Sequence, residues 1–371
     1  MRLSKLYFPR KTNLPDDFSE YKTSEIMGFL GIAEYPQRMS GFFNILPLGQ
    51  RVMRKLENNL LNSVSSFNYQ EMHWPLLQRE EIWKKSGRIE EFGKDMIHTT
   101  QDYQGFVLSS AHEEYFAENV ARNIQSSNEL PVIFFQMGYL FENRKAKSII
   151  RSSEFSVFST YSLSKDEKQS EDNCKDSEDF YDKFFMGLGI NPIKIRDGDT
   201  LHFIYPTQEG EHYLALENGT FRFTPSNERK SSQKGIGLAM IRSLGTKYAS
   251  DFSIHINNKG KLIHPHMETS AVGLTRLLFT IVDKNRTKNG IRWPENIRPY
   301  DLAIVPRILE NQECFNHALK IYNEKIEQGE SVVFDDLKQN RKKTRKAMGI
   351  QRSIIVGDKR NPKSIEEVIN E

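Results

Sequence analysis

The architecture of this chain is set by four short segments in its first third: LPLGQRV (Leu46–Val52), EMHWPLL (Glu71–Leu77), EEIWKKSGR (Glu80–Arg88) and LSSAHEE (Leu108–Glu114). Apolar side chains recur at spacings of three and four between Gly49 and Val64, which predicts an amphipathic helix. The chain then turns and runs through EMHWPLL as a short strand that carries Pro75. The predicted layout is therefore a long helix followed by a strand that contains a proline.

The composition is that of a globular protein with two domains. At 371 residues the chain exceeds the size at which a single hydrophobic core usually stops growing. Hydrophobic residues make up 37% and charged residues 27%, and no apolar run approaches the length of a membrane span, so no contact with a membrane is expected. The net charge of +3 is nearly balanced. Any contact with nucleic acid must therefore come from local basic patches.

Two features bear on the compartment of the protein. Cys174 and Cys314 form neither a metal-ligand spacing nor a disulfide framework, which fits a reducing compartment. The N-terminal sequence MRLSKLYFPRKTNLP is basic and has no acidic residue before Asp16, as in a mitochondrial presequence. The same residues can equally be the first segment of the folded body, and the sequence leaves both interpretations open.

The next stretch predicts a helix, then two strands joined by a basic loop. The helix is expected at Ala111–Gln125 and the strands at Val132–Glu142 and Glu154–Leu163, with the loop at Arg144–Arg151. Basic residues in such a loop suit phosphates or a nucleic-acid backbone, although a solvated hairpin tip is the alternative. Ser164–Asp179 has almost no apolar residue and is predicted to be a flexible surface insertion.

The second half alternates short strands with turns and ends in a small α/β unit. Ser270–Val282 (SAVGLTRLLFTIV) predicts a strand that turns into an apolar helix. After the proline-bounded WPENIRP the predicted elements are strands and one helix: strands Asp301–Val305, Ser331–Phe334 and Arg352–Val356, and helix Gln312–Ile326.

The order of these segments, with GLTR (Gly273–Arg276) and IRWPENIRPYDLAIVP (Ile291–Pro306) downstream, resembles the bacterial-type prolyl-tRNA synthetases. The resemblance implies an α/β (α+β) fold: a class II synthetase catalytic domain on an antiparallel sheet at residues 1–290, and a small C-terminal α/β anticodon-binding domain at 301–371. It places motif 1 at about 46–77, motif 2 at about 132–163 and motif 3 at about 267–282. A linker is expected at 291–300, and there is no room for an editing insertion.

The same resemblance implies a proline–tRNA ligase that uses ATP and Mg²⁺ to activate proline and transfers it to the 3′ end of tRNA(Pro). A homodimer through motif 1 and a location in the mitochondrial matrix, or alternatively the cytoplasm, are also implied. Catalytic roles fall on Arg276, Glu142 and Arg144. The remaining site residues by resemblance are Glu113, His112 and Ala111 for the amino acid, Glu142, Arg144, Arg151, Gly273 and Arg276 for ATP, and Lys338, Arg341, Lys342, Lys343, Arg345 and Lys346 for tRNA. No protein side chain is assigned to a metal.

Several positions depart from the family pattern where ligands are contacted. Leu140 stands at the motif 2 arginine and Ala111 at a threonine that binds the imino group. Met240, Ser243 and Ala271 replace a histidine, a glutamine and a glycine. Because side chains alternate along a strand, positions 140, 142 and 144 are expected on one face, so that Arg144 could supply the missing charge. The departures keep a second function open, that of an impaired paralogue acting as a tRNA-binding, accessory or regulatory protein.

Overall fold

The computed structural model describes residues 1–8, 13–36, 41–144, 148–217, 219–224 and 232–369. The chain divides into two compact units. The central unit contains Arg38–Phe42 and Glu57–Leu277, and the terminal unit contains Met1–Gln37, Phe43–Leu56 and Leu278–Glu371. In the part of the chain that the structure describes, no helix is long and apolar enough to cross a membrane. The domain boundaries expected from the sequence, 1–290 and 301–371, stay a prediction.

The secondary structure mixes helices with many short strands. The α-helices are α1 (Thr23–Phe29), α2 (Pro47–Val64), α3 (Glu80–Lys85), α4 (Arg88–Phe92), α5 (Glu113–Asn119), α6 (Glu167–Gly187), α7 (Lys247–Asp251), α8 (Leu274–Asn285), α9 (Gln312–Glu327) and α10 (Arg341–Ala347). The strands are β1 (Ala33–Glu34), β2 (Asn44–Ile45), β3 (Tyr69–Glu71), β4 (Leu77–Arg79), β5 (Ile97–His98), β6 (Phe106–Leu108), β7 (Val132–Phe141), β8 (Glu154–Ser164), β9 (Ile193–Asp197), β10 (Thr200–Pro206), β11 (His212–Glu217), β12 (Thr220–Phe223), β13 (Gln233–Gly245), β14 (Ile256–Asn258), β15 (Lys261–Ile263), β16 (His266–Gly273), β17 (Arg286–Thr287), β18 (Gly290–Ile291), β19 (Leu302–Pro306), β20 (Val332–Phe334), β21 (Arg352–Val356) and β22 (Ile365–Ile369).

A nine-stranded sheet forms the floor of the central unit. Its strands run in the order β12-β11-β13-β16-β8-β7-β3, and β10 and β9 join it through β13. The pairings are antiparallel except for that between β3 and β7. β7 and β8 pair along their whole length, from Val132 opposite Leu163 to Phe141 opposite Glu154. The predicted antiparallel sheet and strand–loop–strand hairpin are therefore confirmed, although the loop residues 145–147 lie outside the described part.

An aromatic core fixes helices α5 and α7 against this sheet. Phe116 of α5, Tyr161 of β8 and Phe252 after α7 are all buried together with Trp74. Trp74 donates its backbone N–H to Oε1 of Gln136 at 2.6 Å, in the gap between β3 and β4. The strand predicted at Glu71–Leu77 is thus two separate strands, because the Trp74–Pro75 segment turns away from the ladder to bury the indole.

The polar segment Ser164–Asp179 is not the flexible insertion that its composition predicts. Ser164 ends β8, and the rest begins α6, which Asp166 caps by accepting from the backbone N–H of Gln169 at 2.9 Å. The buried face of α6 begins with Ser170, Asn173 and Ser177. These small polar side chains fit against a sheet face that is itself polar. Asn173, for example, donates to Oγ of Ser164 at 2.8 Å.

Other predicted elements differ only in their limits. The helix expected at Ala111–Gln125 is shorter, since α5 ends at Asn119 and a 3₁₀ turn follows at Ala121–Asn123. The strand that turns into an apolar helix is confirmed, with the junction between Gly273 and Leu274.

The terminal unit contains a four-stranded sheet in the order β20-β19-β21-β22. β19 runs parallel to both of its neighbours, and only β22 is antiparallel. Helix α9 packs on this sheet through Ala318 and Ile321 against Leu302 and Phe334. The predicted strands and helix of the small α/β unit are present, and β22 is an additional strand.

Candidate active site

A cavity of about 570 Å³ opens on the central sheet, and most of the predicted site residues line it. Its walls come from β7, β8, β13 and β16, with the starts of α5 and α8. Six lysines or arginines and four glutamates face it, so positive charge is in excess: Arg88, Arg144, Arg151, Arg242, Lys247 and Arg276 against Glu91, Glu113, Glu142 and Glu211. Such a cavity suits an anionic ligand that also carries a cationic group.

Arg276 is held rigidly at the start of α8. Its Nε donates to the carbonyl of Ile150 and its Nη1 to the carbonyl of Gly237, both at 3.0 Å. Its Nη2 lies 2.6 Å from Oε1 of Glu211. Gly273 packs directly beneath this side chain, where a Cβ would lie 3.4 Å from the arginine Cδ. The guanidinium is therefore fixed before any ligand binds.

Glu142 and Arg144 form an ion pair on the cavity wall, just beyond the end of β7. The backbone N–H of Glu142 donates to the carbonyl of Ser153 at 2.9 Å. Because β7 ends at Phe141, strand alternation does not extend to position 144, and that part of the sequence argument is wrong. Nevertheless Leu140, Glu142 and Arg144 all line the same cavity.

Leu140 places a hydrocarbon side chain among these charges. It lies opposite Phe155 in the β7–β8 ladder and is 6% exposed. Ala111, at the other predicted departure, is 9% exposed and also lines the cavity. Both departures therefore lie on the wall of the cavity.

Glu113 begins α5 and takes part in a buried charge cluster. Its Oε2 lies 3.0 Å from Nη1 of Arg88, the residue that begins α4. The same nitrogen donates to the hydroxyl of Tyr248 at 2.9 Å and contacts both carboxyl oxygens of Glu114 at 3.3 Å. Glu113, Arg88 and Tyr248 line the cavity, whereas Glu114 is wholly buried behind them.

His112 is placed differently from its neighbour Glu113. Its ring packs 5.6 Å from the Trp74 ring and 6.5 Å from the Tyr161 ring, behind the cavity wall. Burial lowers the pKa of His112 to about 4, and Glu113 and the Pro75 carbonyl offset only part of that effect. The imidazole is therefore neutral near pH 7, and this geometry gives no support to a contact between His112 and substrate.

The comparisons with known proteins agree with this arrangement. Residues 96–285 match the family model "tRNA synthetase class II core domain (G, H, P, S and T)". The chain belongs to this family. The matched residues include β7, β8, β13, β16 and the start of α8, which carry most of the cavity wall.

Relatives extend the similarity beyond the class II synthetase core. The chain is 25% identical to the proline–tRNA ligase of Rickettsia bellii (strain OSU 85-389), over 100% of this chain and 94% of that protein. It is 27% identical to the proline–tRNA ligase of Ehrlichia ruminantium (strain Gardel), over 91% and 86% respectively. The similarity therefore covers both compact units.

Solved structures show the same fold at low identity. The Giardia lamblia prolyl-tRNA synthetase in complex with prolyl-adenylate superimposes with a TM-score of 0.76 at 16% identity, over 96% of this chain and 76% of that one. The Cryptosporidium parvum prolyl-tRNA synthetase complexed with halofuginone and AMPPNP gives 0.75 at 14% identity, over 94% and 72%. The predicted class II fold is confirmed.

Some residues of this synthetase site were not predicted from the sequence. Arg88 lies within EEIWKKSGR, where a basic residue at a helix end looks like ordinary surface charge. Glu211 lies in a turn before β11, yet its carboxylate contacts Arg276 and lies 3.4 Å from Nε of Arg151. Only the fold brings Glu211 to residues 60 or more positions away along the chain.

The six basic residues of Lys338–Lys346 divide into two groups. Lys338 and Lys342 are exposed. Arg345 is buried in an ion pair with Asp335, and Arg341 donates to the Asp335 carbonyl at 2.6 Å. Lys343 contacts Asp16 at 2.6 Å and Lys346 is half-buried. The role of this run in tRNA binding stays a prediction, and the geometry leaves Lys338 and Lys342 as its most accessible members.

Proposed function

We propose that this chain is a proline–tRNA ligase, which activates proline with ATP and transfers it to the 3′ end of tRNA(Pro). The observation that carries the proposal is a single cavity with fixed arginines at one part of its wall and an ionised glutamate at another. Relatives named proline–tRNA ligase that align with nearly the whole chain support the choice of proline.

The arginines suit the first chemical step. The proline carboxylate attacks the α-phosphate of ATP, the new C–O–P anhydride forms, and pyrophosphate leaves with its electron pair. Negative charge gathers on the phosphate oxygens, and preorganised cations stabilise it without reorganisation. Arg276 is preorganised by its two backbone carbonyls and Glu211. Arg144 and Arg151 add charge to the same wall.

Glu113 suits the amino-acid end. Proline carries a cationic secondary amine, which pairs well with a carboxylate that is largely shielded from water. Arg88 and burial act on Glu113 in opposite directions, and the Arg88 charge with its hydrogen bonds keeps the pKa of Glu113 below its usual value. The carboxylate is therefore ionised when the cationic amine arrives.

Magnesium fits the residues present. No cluster of three or more His, Cys, Asp or Glu suited to a metal occurs among the described residues. Mg²⁺ is commonly held by one or two carboxylates together with substrate phosphates. Glu142 and Glu211 would supply those carboxylates, and the ion would neutralise phosphate charge during the first step.

A second function is favoured by one specific observation. Leu140 and Ala111 lie on the cavity wall, at positions where the resemblance to the family implies an arginine and a threonine. A chain that binds tRNA without activating proline, as an accessory or regulatory protein, is compatible with both.

The experiment that separates these functions is proline-dependent ATP–pyrophosphate exchange on the purified protein. The ligase proposal expects exchange with proline, abolished in Arg276→Ala and in Glu113→Ala. Arg196→Ala is the matched control, because Arg196 is an exposed arginine on β9 that does not line the cavity. Absence of exchange in the unmodified protein, with tRNA binding retained, would support the accessory function instead.

Two further parts of the proposal concern the assembly and its location. A homodimer is proposed through motif 1, and its mass is measurable by sedimentation.

The mitochondrial matrix is proposed as the location because the N-terminal segment is basic. Residues 9–12 of that segment lie outside the described residues. A fluorescent fusion to residues 1–40 tests import, and diffuse cytoplasmic signal would favour the alternative.

A further inference from the structure

Two adjacent glutamates share one arginine in the wall of the cavity. Nη1 of Arg88 lies 3.0 Å from Glu113 and 3.3 Å from each carboxyl oxygen of Glu114. The Arg88 side chain is 16% exposed, that of Glu113 is 10% exposed and that of Glu114 is fully buried. With both glutamates ionised the cluster would hold a net negative charge away from water, which is unfavourable.

The hydrogen bonds around Glu114 accommodate a proton on it. Its Oε1 accepts from the Tyr248 hydroxyl at 3.0 Å and lies 2.9 Å from Oγ of Ser86. The Ser86 hydroxyl lies 3.2 Å from the carbonyl of Trp83 and accepts from the backbone N–H of Arg88 at 3.3 Å. A hydroxyl that donates to Trp83 keeps a lone pair with which to accept. Glu114 can therefore donate its proton to Ser86, and the chain of hydrogen bonds ends on a backbone carbonyl.

Glu113 differs from Glu114 in two ways. Its side chain lines the cavity, and its carboxylate makes the shortest contact with Arg88, at 3.0 Å. Burial raises the pKa of Glu114 and Arg88 lowers it, but with the charge of Glu113 the net shift is upward. Burial also acts to raise the pKa of Glu113, yet there Arg88 outweighs it and the net shift is downward. The difference in pKa follows the difference in position, with the more deeply buried carboxyl the one that keeps its proton.

We propose that Arg88 is a positioning residue that divides the pair into an ionised Glu113, turned toward the cationic amine of the amino-acid substrate, and a protonated Glu114, which is a structural hydrogen-bond donor. The assignment rests on the proposed function for the identity of the substrate. The division of charge itself follows from the cluster alone.

The other titratable groups packed around the pair come from four elements. Tyr248 and Lys247 lie on α7, Tyr161 on β8, His112 precedes α5, and Glu91 lies on α4. Burial raises the pKa values of Tyr161 and Tyr248 far above neutrality, and His112 is neutral, so none of these three changes charge near pH 7. Lys247 is bound to the carbonyl of Ser86 at 2.7 Å and to Asp251 at 3.1 Å.

The kinetic test compares Glu113→Gln, Glu114→Gln and the matched control Glu118→Gln, which lies on the same helix and pairs with Lys85. Glutamine mimics a protonated carboxyl but not an ionised one. Glu113→Gln is expected to raise the KM for proline about 100-fold. Glu114→Gln and Glu118→Gln are expected to stay within about threefold of the unmodified protein. An equal rise of KM in Glu113→Gln and Glu114→Gln would overturn the division.

Arg88 is tested by the pH profile. Arg88→Met removes the cation that keeps Glu113 ionised, so the KM for proline should rise and its acid limb should move to higher pH, with a smaller change in kcat. Arg88→Lys restores the charge and is expected to recover part of the loss. If the acid limb of Arg88→Met lies at the same pH as that of the unmodified protein, the assignment is contradicted.

An infrared measurement is independent of turnover and of the folding of Arg88→Met. With ¹³C-labelled glutamate at pH 7, the carbonyl stretch of protonated carboxyls should lose the intensity of one group in Glu114→Gln relative to the unmodified protein, while Glu268, whose pKa is also raised by burial, contributes equally to both spectra. Equal band intensity in Glu114→Gln and the unmodified protein would overturn the inference. If proline exchange is absent while this pattern holds, the proposed function fails and the division of charge stands.

Discussion

Leu140 is the residue at which the cavity departs most from the charge of its surroundings. It is buried opposite Phe155, on the same wall as Glu142, Arg144 and Arg276. We predict that Leu140→Arg raises the rate of ATP–pyrophosphate exchange. A preorganised cation at a developing phosphate charge is commonly worth about 10²-fold in rate, and the two glutamates of the wall, Glu142 and Glu211, offset its burial.

Leu140→Met is the matched control, because it keeps volume and hydrophobicity and is expected to leave the rate unchanged. Thermal unfolding of both variants checks that the fold survives. If Leu140→Arg folds and exchange does not increase, the missing arginine is not what limits activity, and either several positions or a different ligand must be considered.

His112 gives a prediction about acid stability. Its pKa is about 4 in the folded chain and 6.5 is its ordinary value, so the unfolded state binds more protons between these pH values. The stability contributed by neutral His112 is complete above pH 6.5 and is lost as the pH falls toward 4. By linkage the loss between pH 7 and pH 4.5 amounts to about 2 to 3 kcal/mol.

Phenylalanine keeps the aromatic packing against Trp74 and Tyr161 but cannot titrate. His112→Phe should therefore lose less free energy of unfolding between pH 7 and pH 4.5 than the unmodified protein, by the amount given above. Urea titrations at the two pH values measure the difference. Parallel losses in both proteins would show that folding does not lower the pKa of His112.

At the scale of elements, α6 is the clearest test of local structure. Asp166 is its N-cap and bonds the N–H of Gln169. Loss of a capping side chain typically costs about 1 kcal/mol, so Asp166→Ala should lower the free energy of unfolding by that amount. Asp172→Ala, at an exposed position on the same helix, is the control and should change it by less than about 0.5 kcal/mol. Equal effects would contradict the capping role.

The same helix shows why some elements could be predicted from the sequence and others could not. Residues 170, 173, 177, 180 and 184 follow a helical spacing and are buried. Only Phe180 and Phe184 are apolar, so a search for apolar periodicity finds the second half of the helix alone. The first half is helical because the sheet beneath it offers Ser164 and Ser243 as hydrogen-bond partners. That information belongs to other parts of the chain.

The candidate site divides in the same way. Arg276, Glu142 and Glu113 lie in segments whose order resembles the family, and the structure brings all three to one cavity. Glu211 and Arg88 act through contacts with residues distant in sequence, so no local pattern marks them. Resemblance to the family places His112 at the substrate, and the turn at the start of α5 places its ring in the core. Its contact with substrate stays a prediction that this geometry does not support.

At the scale of the whole molecule, the two compact units carry different parts of the proposed function. The central unit contains the cavity and its charged groups. The terminal unit contains the basic run, in which Asp335 is fully buried and binds Arg345 and Arg341. Replacement of Asp335 would leave Arg345 as an uncompensated buried charge, which typically lowers the free energy of unfolding by about 3 to 5 kcal/mol. A variant at this buried pair therefore tests stability. The binding of tRNA has to be tested at exposed residues of the basic run.

Lys338 and Lys342 offer that test, because both are exposed and neither has to be removed from an ion pair with Asp335. We predict that Lys338→Ala/Lys342→Ala weakens tRNA binding and reduces the steepness of its salt dependence. Each lost phosphate contact lowers the slope of log K against log salt by about 0.7 to 0.9, so the double variant should lose about 1.4 to 1.8. Lys168→Ala/Lys175→Ala removes two exposed lysines from α6 and is the matched control for net charge. A change in net charge alone would affect both double variants equally. A contact at the basic run therefore lowers the slope in Lys338→Ala/Lys342→Ala but not in Lys168→Ala/Lys175→Ala. Equal slopes in the two variants would assign the binding surface to another part of the chain.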